Sequence, residues 1–208
     1  MSDITNARDL TAKSLIARLH SSESNEWYTP EPYIEAARTV LGGIALDAAS
    51  SAAAQITVKA DRYYSKENGE DGLALPWVDR WFNNPPYGWR KWEGRRRSNQ
   101  ELWTKKAAAE WEEFNRSGIM LINSNTEVTY MRPLWRFWKC FTDHRIKFDL
   151  PPGAPPKDQP TKGNVFIYFG LDWRLFGDTF SQFGQIVPPL PEWEDGPRYA
   201  AKVRNKLY

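Results

Sequence analysis

The sequence predicts a three-layer α/β domain: a mostly parallel sheet with a C-terminal antiparallel hairpin and helices on its faces. Three observations predict it. Short apolar runs that end in a polar or turn residue recur at 44–47, 81–84 and 119–122. Stretches with apolar residues at helical spacing separate them, one between Thr29 and Gly42 and one at 100–116. Two β-rich runs, 146–148 and 165–169, then flank a proline-rich loop at 151–163, which suits a hairpin at a sheet edge.

Residues 1–25 are polar with one amphipathic patch (Leu10, Ser14, Leu15, Ala17, Arg18) and are expected to form an arm or short helix. A helix starts at Thr29-Pro30-Glu31-Pro32: threonine caps it, proline suits its first turn and glutamate suits its positive end. Ile34, Ala37, Val40 and Leu41 make its buried stripe, and Gly42-Gly43 stops it. The run 44–47 reads as a short buried strand ending in Asp47. The small residues 48–54 read as a turn and a helix, 56–64 as a strand and 65–72 as a polar loop. Strand 81–84 leads into the Pro85-Pro86 turn, and 89–97 is a basic aromatic loop. The helix at 100–116 presents Leu102, Trp103, Ala107, Trp111 and Phe114 on one face, with Gly118 as its stop. Strand 119–122 follows, then an aromatic helix at 128–141 (Met131, Leu134, Trp135, Trp138), interrupted near Pro133. Residues 26–170 hold the strand–helix alternation. Residues 171–208, punctuated by Pro188, Pro189 and Pro191, form a C-terminal extension packed on the same domain.

At 208 residues the chain is long enough for one domain with a substantial core. Its net charge is +2, so any anion binding must come from a local patch and not from a global field. Cys140 is the single cysteine, which excludes an intrachain disulfide and suits a reducing interior. His20 and His144 lie far apart in sequence, and with one cysteine they make no recognisable zinc cluster, so no metal is expected. No apolar run approaches membrane-spanning length, and the first residues lack a signal-peptide h-region, so no membrane partner is expected. Cys140 reads as core, and His144 as a strand-edge residue rather than a general base. The aromatic content is high, with 11 Trp, 9 Tyr and 10 Phe, which serves both a core and stacking surfaces.

Asn84-Pro85-Pro86-Tyr87 carries the chemistry. The Asn84 side-chain oxygen and the Pro85 carbonyl can both accept hydrogen bonds from one planar amine. The two prolines fix φ and donate no competing N–H, and Tyr87 can lie flat on the ring that bears the amine. A plain proline turn after a strand is the alternative reading of these four residues alone. In open α/β sheets ligands bind beyond the carboxyl ends of the strands, and both Asp47 and Asn84 end predicted strands. Asp47 is equally suited to capping the next helix. Trp89, Arg90, Trp92, Arg95, Arg96 and Arg97 interleave charge with aromatic rings, a pattern for contact with nucleic-acid phosphates, or else a solvated loop. Arg198, Lys202, Arg204 and Lys206 read as a solvated helix face.

Five strings in order carry a resemblance to a known family. They are Glu26-Trp27-Tyr28-Thr29-Pro30, Leu41-Gly42-Gly43-Ile44-Ala45-Leu46-Asp47-Ala48-Ala49-Ser50-Ser51, Val58-Lys59-Ala60-Asp61-Arg62-Tyr63-Tyr64, Asp71-Gly72-Leu73 and Asn84-Pro85-Pro86-Tyr87-Gly88. Together they resemble the phage-type Dam family of DNA adenine-N6 methyltransferases, over roughly residues 26 to 170. The resemblance implies a three-layer Rossmann-like methyltransferase sheet, with 26–170 as the catalytic domain. It also implies S-adenosyl-L-methionine as cofactor, double-stranded DNA as partner and a cytoplasmic location, in a bacterial host cell for a phage-derived chain. Asn84, Pro85, Pro86 and Tyr87 match the catalytic turn. Tyr28, Thr29 and Pro30 match the segment bordering the methionine end of the cofactor, Asp47, Ala48 and Ser50 the turn that wraps it, and Asp71 the acidic position near its adenine. Asp61 is the candidate for holding the cofactor ribose. The chain departs from the family at Ala48, where a proline is usual, and has no Gly-x-Gly after Asp47. The implied reaction is methyl transfer to the N6 amine of a flipped-out adenine in DNA. The same turn suits another planar amine, an RNA adenine or a protein glutamine, and the fold also suits a catalytically lapsed DNA-binding module.

Overall fold

The computed structural model describes residues 27–150 and 162–189. The expected arm at 1–25, most of the loop at 151–163 and the basic tail beyond 189 lie outside the described residues. Helix α1 (Glu31–Leu41) buries Tyr33, Ile34, Ala36, Ala37, Val40 and Leu41 and ends against Gly42. Strand β1 (Leu46–Ser50) follows, then a one-turn helix α2 (Gln55–Val58) and β2 (Arg62–Ser65). A loop leads to β3 (Trp81–Asn83), a hairpin of β4 (Trp89–Trp92) and β5 (Arg95–Ser98), and the long helix α3 (Asn99–Phe114). Strand β6 (Gly118–Asn123), a 3-10 segment (Thr129–Arg136), β7 (Trp138–Thr142), β8 (Asn164–Phe169), α4 (Trp173–Phe180) and β9 (Gly184–Val187) complete the order.

Seven strands form one sheet in the order β2-β1-β3-β6-β8-β7-β9, and β4-β5 stand apart as a two-stranded ribbon. Strands β2, β1, β3 and β6 pair in parallel, while β6-β8, β8-β7 and β7-β9 pair antiparallel. Strands β8 and β9 therefore oppose the other five, and the molecule is a mixed α/β protein with a mostly parallel sheet. Helices α1 and α4 cover one face through Ile34, Val40, Phe176 and Phe180. Helix α3 and the 3-10 segment cover the other through Trp103, Ala107, Met131 and Leu134, with Trp77 and Trp81 between. The alternation along β6, with Ile119 and Leu121 to one face and Met120 and Ile122 to the other, is the period-two pattern of a strand covered on both sides.

Several boundaries differ from the sequence reading, each for a physical reason. Strand β1 runs through Ser50, which pairs with Ser65 of β2 beyond an irregularity in register at Ala48 and Ala49. The stretch 56–64 divides into α2 and β2 at Lys59, whose φ of 46° breaks the helix. The expected loop at 89–97 is the β4-β5 ribbon, in which Trp89 pairs with Ser98 and Trp92 with Arg95. Helix α3 stops at Asn115 in a left-handed conformation, and Gly118 opens β6 instead of closing the helix. On the predicted apolar face of α3, Trp103 and Ala107 are buried while Phe114 is exposed.

The expected helix at 128–141 is a 3-10 segment followed by strand β7. Pro133 lacks an N–H, which disfavours a continuous α-helix, and Trp138 to Phe141 pair with β8. Cys140 is buried as expected, but in a strand. The run 146–148 is no strand: Ile146 and Phe148 enter the core from an irregular segment. The expected edge hairpin is thus replaced, since β8 lies inside the sheet between β6 and β7 and β9 forms the edge. Residues 173–187, from α4 to β9, belong to the same sheet and core. Among the described residues no helix is long and apolar enough to cross a membrane.

Gly118 illustrates how tightly the sheet is filled. It pairs with Trp81, whose indole lies across it and donates Nε1–H to the Arg116 carbonyl at 3.0 Å. A Cβ at position 118 would sit 2.1 Å from the Trp81 ring. Gly118→Ala is therefore expected to cost about 1–3 kcal/mol of stability through overpacking. Urea unfolding monitored by tryptophan fluorescence checks it; a midpoint equal to that of the parent would show that Trp81 shifts at no cost.

Candidate functional site

The chain leaves β1 on one side to form β2 and returns on the other to form β3. A crevice therefore opens beyond the carboxyl ends of β1 and β3, where strand order reverses. A cleft of about 340 Å3 lies there. It brings together Asn84, Pro85, Pro86 and Tyr87, and with them Tyr28, Thr29, Asp47, Ala48, Ser50 and Asp71. Pro30, expected beside the cofactor, is not part of its wall but the N-cap residue of α1.

Asn84 follows directly on β3, and its side chain is oriented by two acceptors. Nδ2 donates to the Trp27 carbonyl at 2.9 Å and to Thr29 Oγ1 at 3.1 Å. Those two bonds define which end of the amide is nitrogen, and so turn Oδ1 away from them. Thr29 is thus an anchor for Asn84 and not a helix cap, because no side chain caps α1. Oδ1 accepts from the Tyr87 hydroxyl at 3.4 Å. Asn99 ties the far side of the turn to the start of α3, its N–H bonding the Gly88 carbonyl at 3.0 Å and its Nδ2 the Tyr87 carbonyl at 3.1 Å.

Asp47 is the buried carboxylate of the site, at 3% exposure. Burial pushes its pKa up to about 6, opposed by hydrogen bonds from Ser50, the Ala49 N–H and Gln55. Gln55 Nε2 reaches Asp47 Oδ2 at 3.0 Å and Ser50 Oγ at 2.7 Å, while its Oε1 accepts the Ala60 N–H at 2.9 Å. The Ala60 bond fixes the Gln55 amide with its nitrogen toward Asp47. Ser51 Oγ bonds the Tyr28 hydroxyl at 3.1 Å, joining the turn after β1 to the segment before α1.

The outer wall is the loop at 66–75. Gly72 packs so closely on β1 that a Cβ there would lie 2.0 Å from the Ala48 carbonyl oxygen and 2.9 Å from the Trp103 ring. Asp71 holds Arg90 at 2.8 Å, so two residues expected to meet cofactor and DNA meet each other across the mouth. Burial raises the Asp71 carboxyl, but hydrogen bonds from Arg90 and the Leu73 N–H outweigh it and hold the carboxyl below the usual carboxylate range. Asp61 does not line the cleft; Glu67 and Glu70, just past the end of β2, do.

Trp89 and Arg90 line the cleft, whereas Trp92, Arg95, Arg96 and Arg97 stand on the ribbon beyond it. Arg96 lies 4.9 Å from the Trp89 ring centre and Arg90 5.2 Å from that of Trp92. Arg97 pairs with Glu101 at 3.5 Å. The sequence reading missed Gln55, Glu67, Glu70, Asn99 and Trp103 as site residues. Gln55 and Asn99 carry no local signal, and Trp103 at helical spacing reads as core. His144 is exposed, bonded to Tyr33 and Asp143, and lies outside the cleft. Among the described residues no group of His, Cys, Asp or Glu is placed to hold a metal ion.

Fold and cleft define the class: a mixed α/β protein with a ligand-sized crevice at the carboxyl edge of its parallel strands. No family model and no curated protein matches the chain.

Proposed function

We propose that the protein is a Rossmann-like, S-adenosylmethionine-dependent methyltransferase acting on the N6 amine of a flipped-out adenine in double-stranded DNA. The observation that carries this reading is the Asn84 amide, anchored through its nitrogen by Trp27 and Thr29, with its oxygen turned to the cleft side chain Tyr87 and open to an acceptor amine once that hydroxyl moves. The resemblance in the five sequence strings supplies the identity of cofactor and substrate.

The cleft suits such a cofactor in size and charge. Its wall carries four carboxylates, Asp47, Glu67, Glu70 and Asp71, against Lys66 and Arg90, which favours a ligand bearing sulfonium and ammonium charges. Glu67 and Glu70, past the end of β2, are the groups we assign to the ribose hydroxyls in place of Asp61. Bound S-adenosylmethionine would supply a methyl group on a cationic sulfur. The adenine amine is a weak nucleophile because its lone pair is delocalised into the ring. Asn84 Oδ1 and the Pro85 carbonyl hold its two hydrogens and favour a pyramidal nitrogen, with the lone pair facing the methyl carbon. On transfer the methyl group would pass to the nitrogen, the S–C electron pair would stay on sulfur, and the methylated amine held by Asn84 and Pro85 would release one proton to water. Tyr87 stacks on the base once its hydroxyl leaves Asn84.

The β4-β5 ribbon stands beside the mouth of the cleft and supplies the phosphate contacts. Replacing Arg95, Arg96 and Arg97 together with alanine is expected to reduce the slope of log K against log salt by about 2–3, one step of ~0.9 per phosphate lost. Filter binding across a salt series checks this, and an unchanged slope removes the ribbon from the interface. The test of the reaction itself is transfer of tritium from labelled S-adenosylmethionine to unmodified double-stranded DNA, followed by digestion to nucleosides. Label in N6-methyladenine supports the reading. Label only on RNA or protein would move it to another planar amine, and absence of cofactor binding would leave a lapsed binding module.

A further inference from the structure

Beneath the catalytic turn lies a set of buried polar groups that neither the cleft wall nor the proposed chemistry uses. The Tyr87 hydroxyl points down from the turn, and its pKa is raised by burial and by the neighbouring Tyr130, with the Asn164 side chain opposing. Asn164 opens β8 and pairs with Asn123 at the carboxyl end of β6, so it sits on the same edge of the sheet as Asn84. Its backbone is held in place, the carbonyl accepting from Thr142 Oγ1 at 3.1 Å. The residue is 2% exposed, and its amide, which no protein group fully satisfies, interacts with the Tyr87 hydroxyl. On the other side of Tyr87, the Tyr130 hydroxyl donates to Gln100 Oε1, and Gln100 Nε2 is buried without a partner. Asn83, the last residue of β3, has both amide atoms buried and unpaired as well.

Buried amides are nearly always bonded, and leaving them unmade is costly. Of these groups the Asn164 amide is the one beside Tyr87, whose hydroxyl also bonds the Asn84 oxygen that an acceptor amine requires. When Tyr87 turns to stack on a base, its hydroxyl leaves both the Asn84 oxygen and the Asn164 amide, and each is freed for an acceptor.

We propose that Asn164 is an acceptor-specificity residue: once Tyr87 turns out to stack, its amide pairs with a ring nitrogen next to the gripped amine. With both amine hydrogens held by Asn84 and Pro85, the Asn164 Nδ2 donor complements an unprotonated ring nitrogen beside the amine, as found on either edge of adenine. Asn84 thus grips the exocyclic amine and Asn164 reads the ring. This assignment rests on the reading of the cleft as a base-methylating site.

The test is calorimetric binding of nucleosides to the full chain, with S-adenosylhomocysteine at saturation to fill the cofactor's part of the cleft. Adenosine, 1-deazaadenosine, 7-deazaadenosine and inosine are compared. The parent is expected to bind adenosine about 10- to 100-fold better than one of the two deaza analogues, the loss typical of a site deprived of one hydrogen bond. In Asn164→Ala, and in Asn164→Asp, which keeps the size but lacks the donor, that ratio falls to within about threefold, while S-adenosylhomocysteine affinity stays within about twofold of the parent. Equal binding of adenosine and both deaza analogues by the parent, or a ratio preserved in the two variants, overturns the assignment. Loss of S-adenosylhomocysteine binding in both variants also overturns it, by making Asn164 a structural residue. Inosine separates the two levels: a parent that does not prefer adenosine to inosine has no amine grip at Asn84, and the methyltransferase reading fails with the specificity role.

Discussion

Asn84→Ala is expected to reduce methyl transfer by about 10^2–10^4-fold with cofactor affinity nearly unchanged, the scale found when a preorganised acceptor or donor at the reacting atom is removed. The substitution takes away the oxygen that holds the amine. It also leaves the Trp27 carbonyl and Thr29 hydroxyl without their donor, at a cost to stability of about 1–2 kcal/mol. The rate effect should dominate because the amine stays planar and unreactive unless both its hydrogens are held. Single-turnover label transfer, with calorimetry on S-adenosylmethionine in parallel, separates the two. A rate within tenfold of the parent would remove Asn84 from the chemistry, and a loss confined to cofactor affinity would make it a wall of the cleft.

Asp47→Asn should stabilise the protein at neutral pH while weakening cofactor binding. Burial raises the Asp47 pKa from 3.8 to about 6, so the folded state binds a proton more readily than the unfolded chain. Between pH 4 and pH 6 the native state therefore holds more protons, and stability falls as pH rises through that window. A shift of this size corresponds to roughly 3 kcal/mol, present as a penalty above pH 6 and absent below pH 4. Asparagine cannot ionise, so the variant should unfold about 5–10 °C higher than the parent at pH 7. Near pH 3.5 the two should coincide. Parallel melting curves across pH 3.5–7.5 would show that Gln55, Ser50 and the Ala49 N–H fully compensate the buried charge. A stabilised variant that has lost cofactor affinity is what a strained, functional carboxylate implies.

Much of the cleft's edge is legible in the sequence because it is built from short segments whose local chemistry is strong. Pro85 and Pro86 fix a turn wherever they stand, and Asp47 and Asn84 end apolar runs that have no other place than the sheet. The cleft accordingly gathers every residue expected at the turn and all but Pro30 and Asp61 of those expected around the cofactor. In the second half of the sheet β6 and β8 were legible as apolar β-rich runs, but β7 and β9 were not. Residues 128–141 have the aromatic content of an amphipathic helix, and only pairing with β8 makes Trp138 to Phe141 a strand. The run 146–148 alternates like a strand but does not join the sheet, where β9 takes the position beside β7.

Local sequence alone thus determined the α/β class, the helix at 31–41, the buried strands at the centre of the sheet and the residues of the turn. Those features follow from periodicity, fixed φ angles and apolar runs, which act over a few residues. Tertiary structure alone decided the partners: Thr29 as anchor instead of cap, Asp71 bound to Arg90, Gln55 set against Asp47, and Asn164 buried beneath Tyr87. The first three are hydrogen bonds whose geometry exists only once the sheet has brought the strand ends to a common edge, and the fourth is a burial that the same edge creates.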